Sequence, residues 1–292
     1  MNMGIYDLLE GGSKPFDKAA WAAKKQNERQ AAFELADTTA EKMRGDSELL
    51  RTYLNVQAHF DRYSVTNAIL VTAQMPGATT LKDWQKWKAD GVTVDRTAKN
   101  ISILEPGNEF NRHDGTRGIG FNAKTVYDIS DTSAKNTVAP REQRSLRELA
   151  AALIEASPVA FQTVDELGMP AYYDFRQQKI FVNKGLDEQH LFAGMAKEIA
   201  AAVFDFKLSR GRDFTEFQSY CVAYMLCKKN GVAVDGFDFS TLPSEYADMD
   251  TNGFKSELGD IRSVLSEIHG AMYKSMEKAQ TDKSPKPREQ QR

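Results

Sequence analysis

Residues Leu191–Phe206, LFAGMAKEIAAAVFDF, constrain the fold more than any other stretch of the chain. Phe192, Met195, Ile199, Val203 and Phe206 recur three and four residues apart, which lines one face of an α-helix. Helices of this kind draw most of their stability from packing that face on other elements. The segment is therefore expected to lie against the core. Phe254–Met272 repeats the pattern with Leu258, Ile261, Leu265, Ile268 and Met272. Phe214–Lys229 is apolar at Tyr220, Val222, Ala223, Tyr224, Met225 and Leu226. With 292 residues and 41% hydrophobic side chains, the chain suffices for one large domain or two ordinary ones.

Charge narrows the function classes. The formal net charge is −3, so no global field draws the molecule to nucleic acid or an anionic membrane, and any such site must be a local patch. The two cysteines, Cys221 and Cys227, lie six apart in one expected helix. That spacing suits neither a disulfide nor a metal clip, and a reducing compartment is expected. No signal peptide is read in MNMGIYDLLEGG, and no apolar run is long enough to cross a bilayer, so the expected location is cytoplasmic.

The organisation reads as α+β in two successive parts. Residues 1–45 form a polar lead-in arm with a possible helix over Trp21–Met43, whose apolar stripe is thin. A part spanning 46–133 starts with a helical pattern from Ser47 to Ala73, closed by Met75-Pro76-Gly77. A short helix over Thr80–Ala89 carries Trp84 and Trp87, and Gly91 ends it. A strand at Ile101–Leu104 leads to a Pro-Gly turn and a polar loop, and Gly120–Ile129 gives another strand. Residues 134–144 read as a connector. A second part, 145–275, has a helix at Ser145–Ala156, a hairpin over Ala171–Val182, and the three helices above. Residues 276–292 are expected to be a disordered tail.

The long helix also borders on a metal motif. Metal-binding helices of the His-Glu-x-x-His type put two imidazoles at i and i+4 on one face. The corresponding residues here are Lys197, Glu198, Ile199, Ala200 and Ala201. A protonated ammonium does not ligate Zn²⁺, and alanine has no donor atom. The four histidines, His59, His113, His190 and His269, are scattered and supply no replacement pair.

The order of segments resembles the ArdC-like antirestriction proteins of conjugative plasmids, integrative elements and phages. HFDRYSVTNAILVTAQMPGAT (59–79), the Trp84–Trp87 helix, ISILEP and TVYDISDTSA (125–134) carry the match in the first part. AYYDFRQQKIFVNKGLDEQHLFAGMAKEIA, SYCVAYMLCKKNG and GFDFSTLP carry it in the second, over roughly residues 48–272 in all. The resemblance implies an N-terminal single-stranded-DNA-binding domain followed by a zincin-like metallopeptidase domain. Its implied metal positions are Lys197, Ala201 and Tyr220, none of them a metal-binding residue of the family, so no metal or other cofactor is expected. Glu198 remains as a relic of the general base. The implied function is an anti-defence accessory protein of a mobile element or phage that binds single-stranded DNA with a catalytically inactive second domain. The alternative is a protein-interaction module that grips a host defence protein in the former peptidase cleft. An active metallopeptidase is the third reading.

On this reading Tyr63, Trp84, Trp87 and Phe121 offer rings for base stacking. Tryptophans three apart share a helix face, so at least one is expected in the core. Lys86, Lys88, Arg96, Lys99, Arg117 and Lys124 are candidate phosphate contacts, with Arg62, Lys82 and Arg112 beside them. Ser64 and Asn67 are either DNA contacts or helix-start hydrogen bonds. Residues 48–131 hold ten Lys and Arg against ten Asp and Glu, so this part carries no charge surplus. Lys197 is expected either to be a solvated helix residue or to pair with Glu198 or another acid in the vacated pocket, and Cys221 and Cys227 are expected to be small apolar packing groups.

Overall fold

The apolar stripe of the long helix does set the architecture. A computed structural model describes residues 17–112, 114–137, 144–209 and 215–283. Its helices are α1 (Lys18–Met43), α2 (Ser47–His59), α3 (Val65–Gln74), α4 (Trp84–Ala89), α5 (Leu146–Glu155), α6 (Glu188–Leu208), α7 (Glu216–Asn230), α8 (Glu245–Asp248) and α9 (Thr251–Lys283). The strands are β1 (Leu81–Lys82), β2 (Ile101–Asn111), β3 (Arg117–Asp128), β4 (Ala160–Val164), β5 (Ala171–Asp174) and β6 (Lys179–Asn183). The fold is α+β. Phe192, Met195, Ile199 and Val203 of α6 are buried against a nearly all-buried α7, whereas Phe206, at the last turn, is half exposed. One continuous apolar core runs from Ala32 to Met276.

Each part contributes a small sheet. The first has the order β1-β3-β2, antiparallel throughout. The second has the order β4-β6-β5, with β4 parallel and β5 antiparallel to β6. Strand β4 and helix α8 are not visible in the sequence pattern. β4 is mostly exposed at the sheet edge, so burial imposes no alternation on it.

Several boundaries differ from the sequence reading. The Ser47–Ala73 helix is two helices, because the chain turns at Phe60–Ser64 and Ser64 caps α3. Thr80–Lys82 is not helical: Leu81 and Lys82 pair with β3, and Asp83 caps a shorter α4. Pro106-Gly107 is a bulge rather than a turn, so β2 runs on to Asn111. Residues 276–283 continue α9 rather than starting a tail, since Met276 is buried where α9 packs on α5. Residues 284–292 lie outside the described residues, as do the first sixteen. The thin stripe of α1 proves sufficient for packing: Ala32, Ala36, Ala40 and Met43 are buried, their small side chains bringing α1 close to α3.

Buried polar groups fix the first sheet. The carboxylate of Asp128, buried at the end of β3, accepts N–H bonds from Thr79 at 2.7 Å, Thr80 at 2.8 Å and Ser130 at 3.0 Å. Burial pushes its pKa up, but these donors outweigh it and hold the group below its ordinary 3.8. A depressed folded pKa stabilises the fold above the unfolded value, and this contribution is lost as pH falls through the folded one. Asp128→Asn should therefore cost about 3 kcal/mol at neutral pH. In urea denaturation the gap from the parent should narrow progressively below about pH 4.

Candidate functional site

Two places collect the candidate residues: the cleft between α6 and α7, and the β2–β3 hairpin with α4. The cleft is a cavity of about 370 Å³ lined chiefly by apolar surface. Pro170, Ala193, Gly194, Ala233 and Phe237 form its walls, with His190, Lys197, Tyr220 and Asp235 among its polar groups. Phe237 and Phe239 pack their rings on Tyr220 and Tyr224, which holds the 233–239 segment against α7. A second cavity of about 400 Å³ shares Lys197 and Tyr220 and extends past Glu216 to Glu245.

Gly194 explains how close α6 comes to the second sheet. A Cβ added there would sit 2.5 Å from Cβ of Pro170, inside van der Waals contact. Alanine gains about 1 kcal/mol of helix propensity over glycine, yet Gly194→Ala should lower stability by about 1–2 kcal/mol because a proline ring has little room to yield. Urea midpoints of the two proteins check this.

The metal implied by the resemblance does not fit the side chains in the cleft. Lys197 forms an ion pair with Glu216 across the α6–α7 interface, the acid-paired setting rather than the solvated one. The pairing follows from the packing of the two helices, which brings the first turn of α7 to the middle of α6. Ala201 is buried and offers no donor. The Tyr220 hydroxyl accepts the Asp238 N–H at 2.6 Å, and burial raises its pKa, so it stays a neutral phenol. Glu198 is buried, and its Oε2 accepts the Tyr173 N–H at 2.8 Å on the open side of β5. Among the described residues, no group of three His, Cys, Asp or Glu side chains is placed to hold a metal ion. Burial pushes both thiols up, Cys227 to about 12, which leaves them protonated and apolar in character.

The DNA candidates divide into frame residues and surface residues. Ser64 Oγ accepts the Asn67 N–H as the cap of α3. The Asn67 amide exchanges two 2.8 Å hydrogen bonds with the Leu104 backbone. Gln74, two turns on, does the same with Ser102, so α3 closes the outer edge of β2. The Tyr63 ring stacks on Phe60, and its carbonyl accepts from Arg262 of α9 at 2.6 Å. Trp87 is buried and donates from Nε1 to the Tyr127 carbonyl. Lys99 donates to the Gln74 carbonyl, and Arg96 is exposed beside it. Lys124 bridges Glu105 at 2.8 Å and Asp83 at 3.1 Å, with Glu105 the larger cause of its raised pKa.

What remains on the surface is coherent. Trp84 is 53% exposed, with the Lys88 ammonium, one turn on, 5.0 Å from its ring centre; Lys86, two residues on and exposed, lies on another side of the helix. The register of β2 and β3 puts Glu105, Lys124 and, past the bulge, Phe110 on the hairpin face next to α4. The opposite face carries Phe121, Ile119 and Arg117, with Arg117 3.6 Å from Glu109. Phe110 and Ile119 are each half exposed, which the sequence reading missed; their β-strand setting was hidden by the bulge at Pro106.

No protein-family model matches the chain, and no curated protein matches it. Among solved structures it is similar to the antirestriction protein ArdC of the R388 plasmid. The metal-free form of that protein shares 16% identity at a TM-score of 0.49, over 76% of this chain and 87% of the other. Its Mn(II)-bound form shares 17% at a TM-score of 0.48, over 76% and 86%. No helix among the described residues is long and apolar enough to cross a membrane.

Proposed function

We propose that the chain binds single-stranded DNA through α4 and the β2–β3 hairpin, as an anti-defence accessory of a mobile element or phage. The observation that carries this is Trp84, an indole more than half exposed with the Lys88 ammonium over its ring. A solvent-facing tryptophan beside cations suits base stacking with phosphate neutralisation, which needs no sequence readout. Phe110 on the adjoining hairpin face supplies a second ring. The anti-defence role rests on the sequence resemblance over residues 48–272.

The second domain on this reading is a pseudo-peptidase. Glu198, the only survivor of the motif, accepts the Tyr173 N–H, and Lys197, Ala201 and Tyr220 beside it do not make a ligand set for a water-activating ion. A gel shift with single- and double-stranded oligonucleotides over a salt series tests the DNA reading. The expected result is a preference for single strands that weakens as salt rises. Equal or absent binding of both forms would overturn it.

A second reading, capture of a host defence polypeptide, is favoured by the apolar cleft beside Lys197 and Tyr220. It requires that a bulky Ala193→Trp change abolish capture of that polypeptide while DNA binding persists.

A further inference from the structure

Helix α1 is longer than the core it packs on. Ala32, Ala36, Thr39, Ala40 and Met43 are buried, whereas residues 17–27 are exposed, so the first turns overhang the body by roughly 15 Å at 1.5 Å per residue. Seven residues make almost two full turns, so the buried stripe can be traced back along the same face. Lys25 stands seven before Ala32, Arg29 seven before Ala36, and Lys18 seven before Lys25. The stripe changes from alanine to cations where the helix leaves the core. Lys24, on a different face, belongs with Glu28 at 3.9 Å, and Lys25 reaches Glu28 at 2.8 Å. Over residues 17–29, Lys18, Lys24, Lys25 and Arg29 stand against two carboxylates, Asp17 and Glu28, in a chain of net charge −3.

Helix α1 also contacts β3 of the hairpin, one to two turns beyond the overhang. Phe33 of α1 meets Phe121 of β3 edge-on, with ring centres 6.4 Å apart. Ile119 and Arg117 continue outward on the same hairpin face. Trp21, half exposed, shares the cationic side of α1.

We propose that the inner face of the α1 overhang and the Phe121 face of the hairpin form a second strand-binding groove, in which Lys18, Lys25 and Arg29 neutralise phosphates of single-stranded DNA. This rests on the DNA reading above and extends it to the far side of the hairpin. Charge complementarity selects the ligand: the groove pairs a row of cations with exposed apolar rings, the combination that tracks a backbone while stacking its bases.

The test is a fluorescence-anisotropy titration of the full chain with labelled oligo-dT over a salt series. The compared proteins are the parent, a Lys18→Gln/Lys25→Gln/Arg29→Gln variant, and an outer-face Lys24→Gln control. Three lost phosphate contacts should flatten the log–log salt slope by about 2 for a single strand. Affinity at low salt should fall more than tenfold, with the control and the thermal melts unchanged. Unchanged affinity and slope in the triple variant, while the parent binds, would overturn the groove and leave the DNA reading standing. So would a control that weakens as much as the triple variant. A parent that binds no oligo-dT at low salt overturns both.

Discussion

Glu198→Ala should destabilise the protein by about 3–4 kcal/mol, a cost of folding rather than of chemistry. The buried carboxylate accepts the Tyr173 N–H, which lies on the side of β5 away from β6. Truncation orphans that donor, worth about 1–3 kcal/mol, and leaves a void at a buried position that adds to the loss. Glu198→Gln retains an acceptor oxygen and should lose about 1–2 kcal/mol. Urea denaturation of the three proteins measures this series. A general base would behave differently, since its removal abolishes turnover and leaves the midpoint near its starting value. Unchanged midpoints for Glu198→Ala would therefore contradict the structural role.

The two tryptophans of α4 should separate stability from binding. Trp87→Ala removes a buried indole and its bond to the Tyr127 carbonyl, and should cost about 4 kcal/mol. Trp84→Ala removes an exposed ring and should stay within about 0.5 kcal/mol of the parent. Its effect should appear instead in single-strand affinity, weakened by about 1–3 kcal/mol if one base stacks there. Thermal melts read the first effect and oligo-dT titrations the second. If Trp84→Ala bound as tightly as the parent, the proposed platform on α4 would be wrong.

The residues explain what was legible before the fold was known. Periodicity locates α6 and α9, because each buries one face, and a continuous apolar run locates α7, which is buried nearly all round. Trp84 and Trp87, three apart, were readable as one face, and the structure buries Trp87 and exposes Trp84. The roles of Asn67 and Gln74 were not readable. Their partners, Leu104 and Ser102, lie 37 and 28 residues away, and no local spacing encodes an amide rung between a helix and a strand edge. The ion pair of Lys197 with Glu216 was hidden for the same reason, since it depends on how α6 and α7 pack. The stripe of α1 reads as thin in the sequence, although its small side chains are what allow a close helix contact.

Lys197, Ala201 and Tyr220 leave the α6–α7 cleft without a ligand set for a divalent ion, and the proposed pseudo-peptidase role depends on that. Elemental analysis of the purified full-length protein, after incubation with zinc or manganese and desalting, tests this directly. The expected content is far below one ion per chain, with no change in the melting temperature on adding a chelator. One tightly held ion per chain, whose removal lowers the melting temperature, would contradict it.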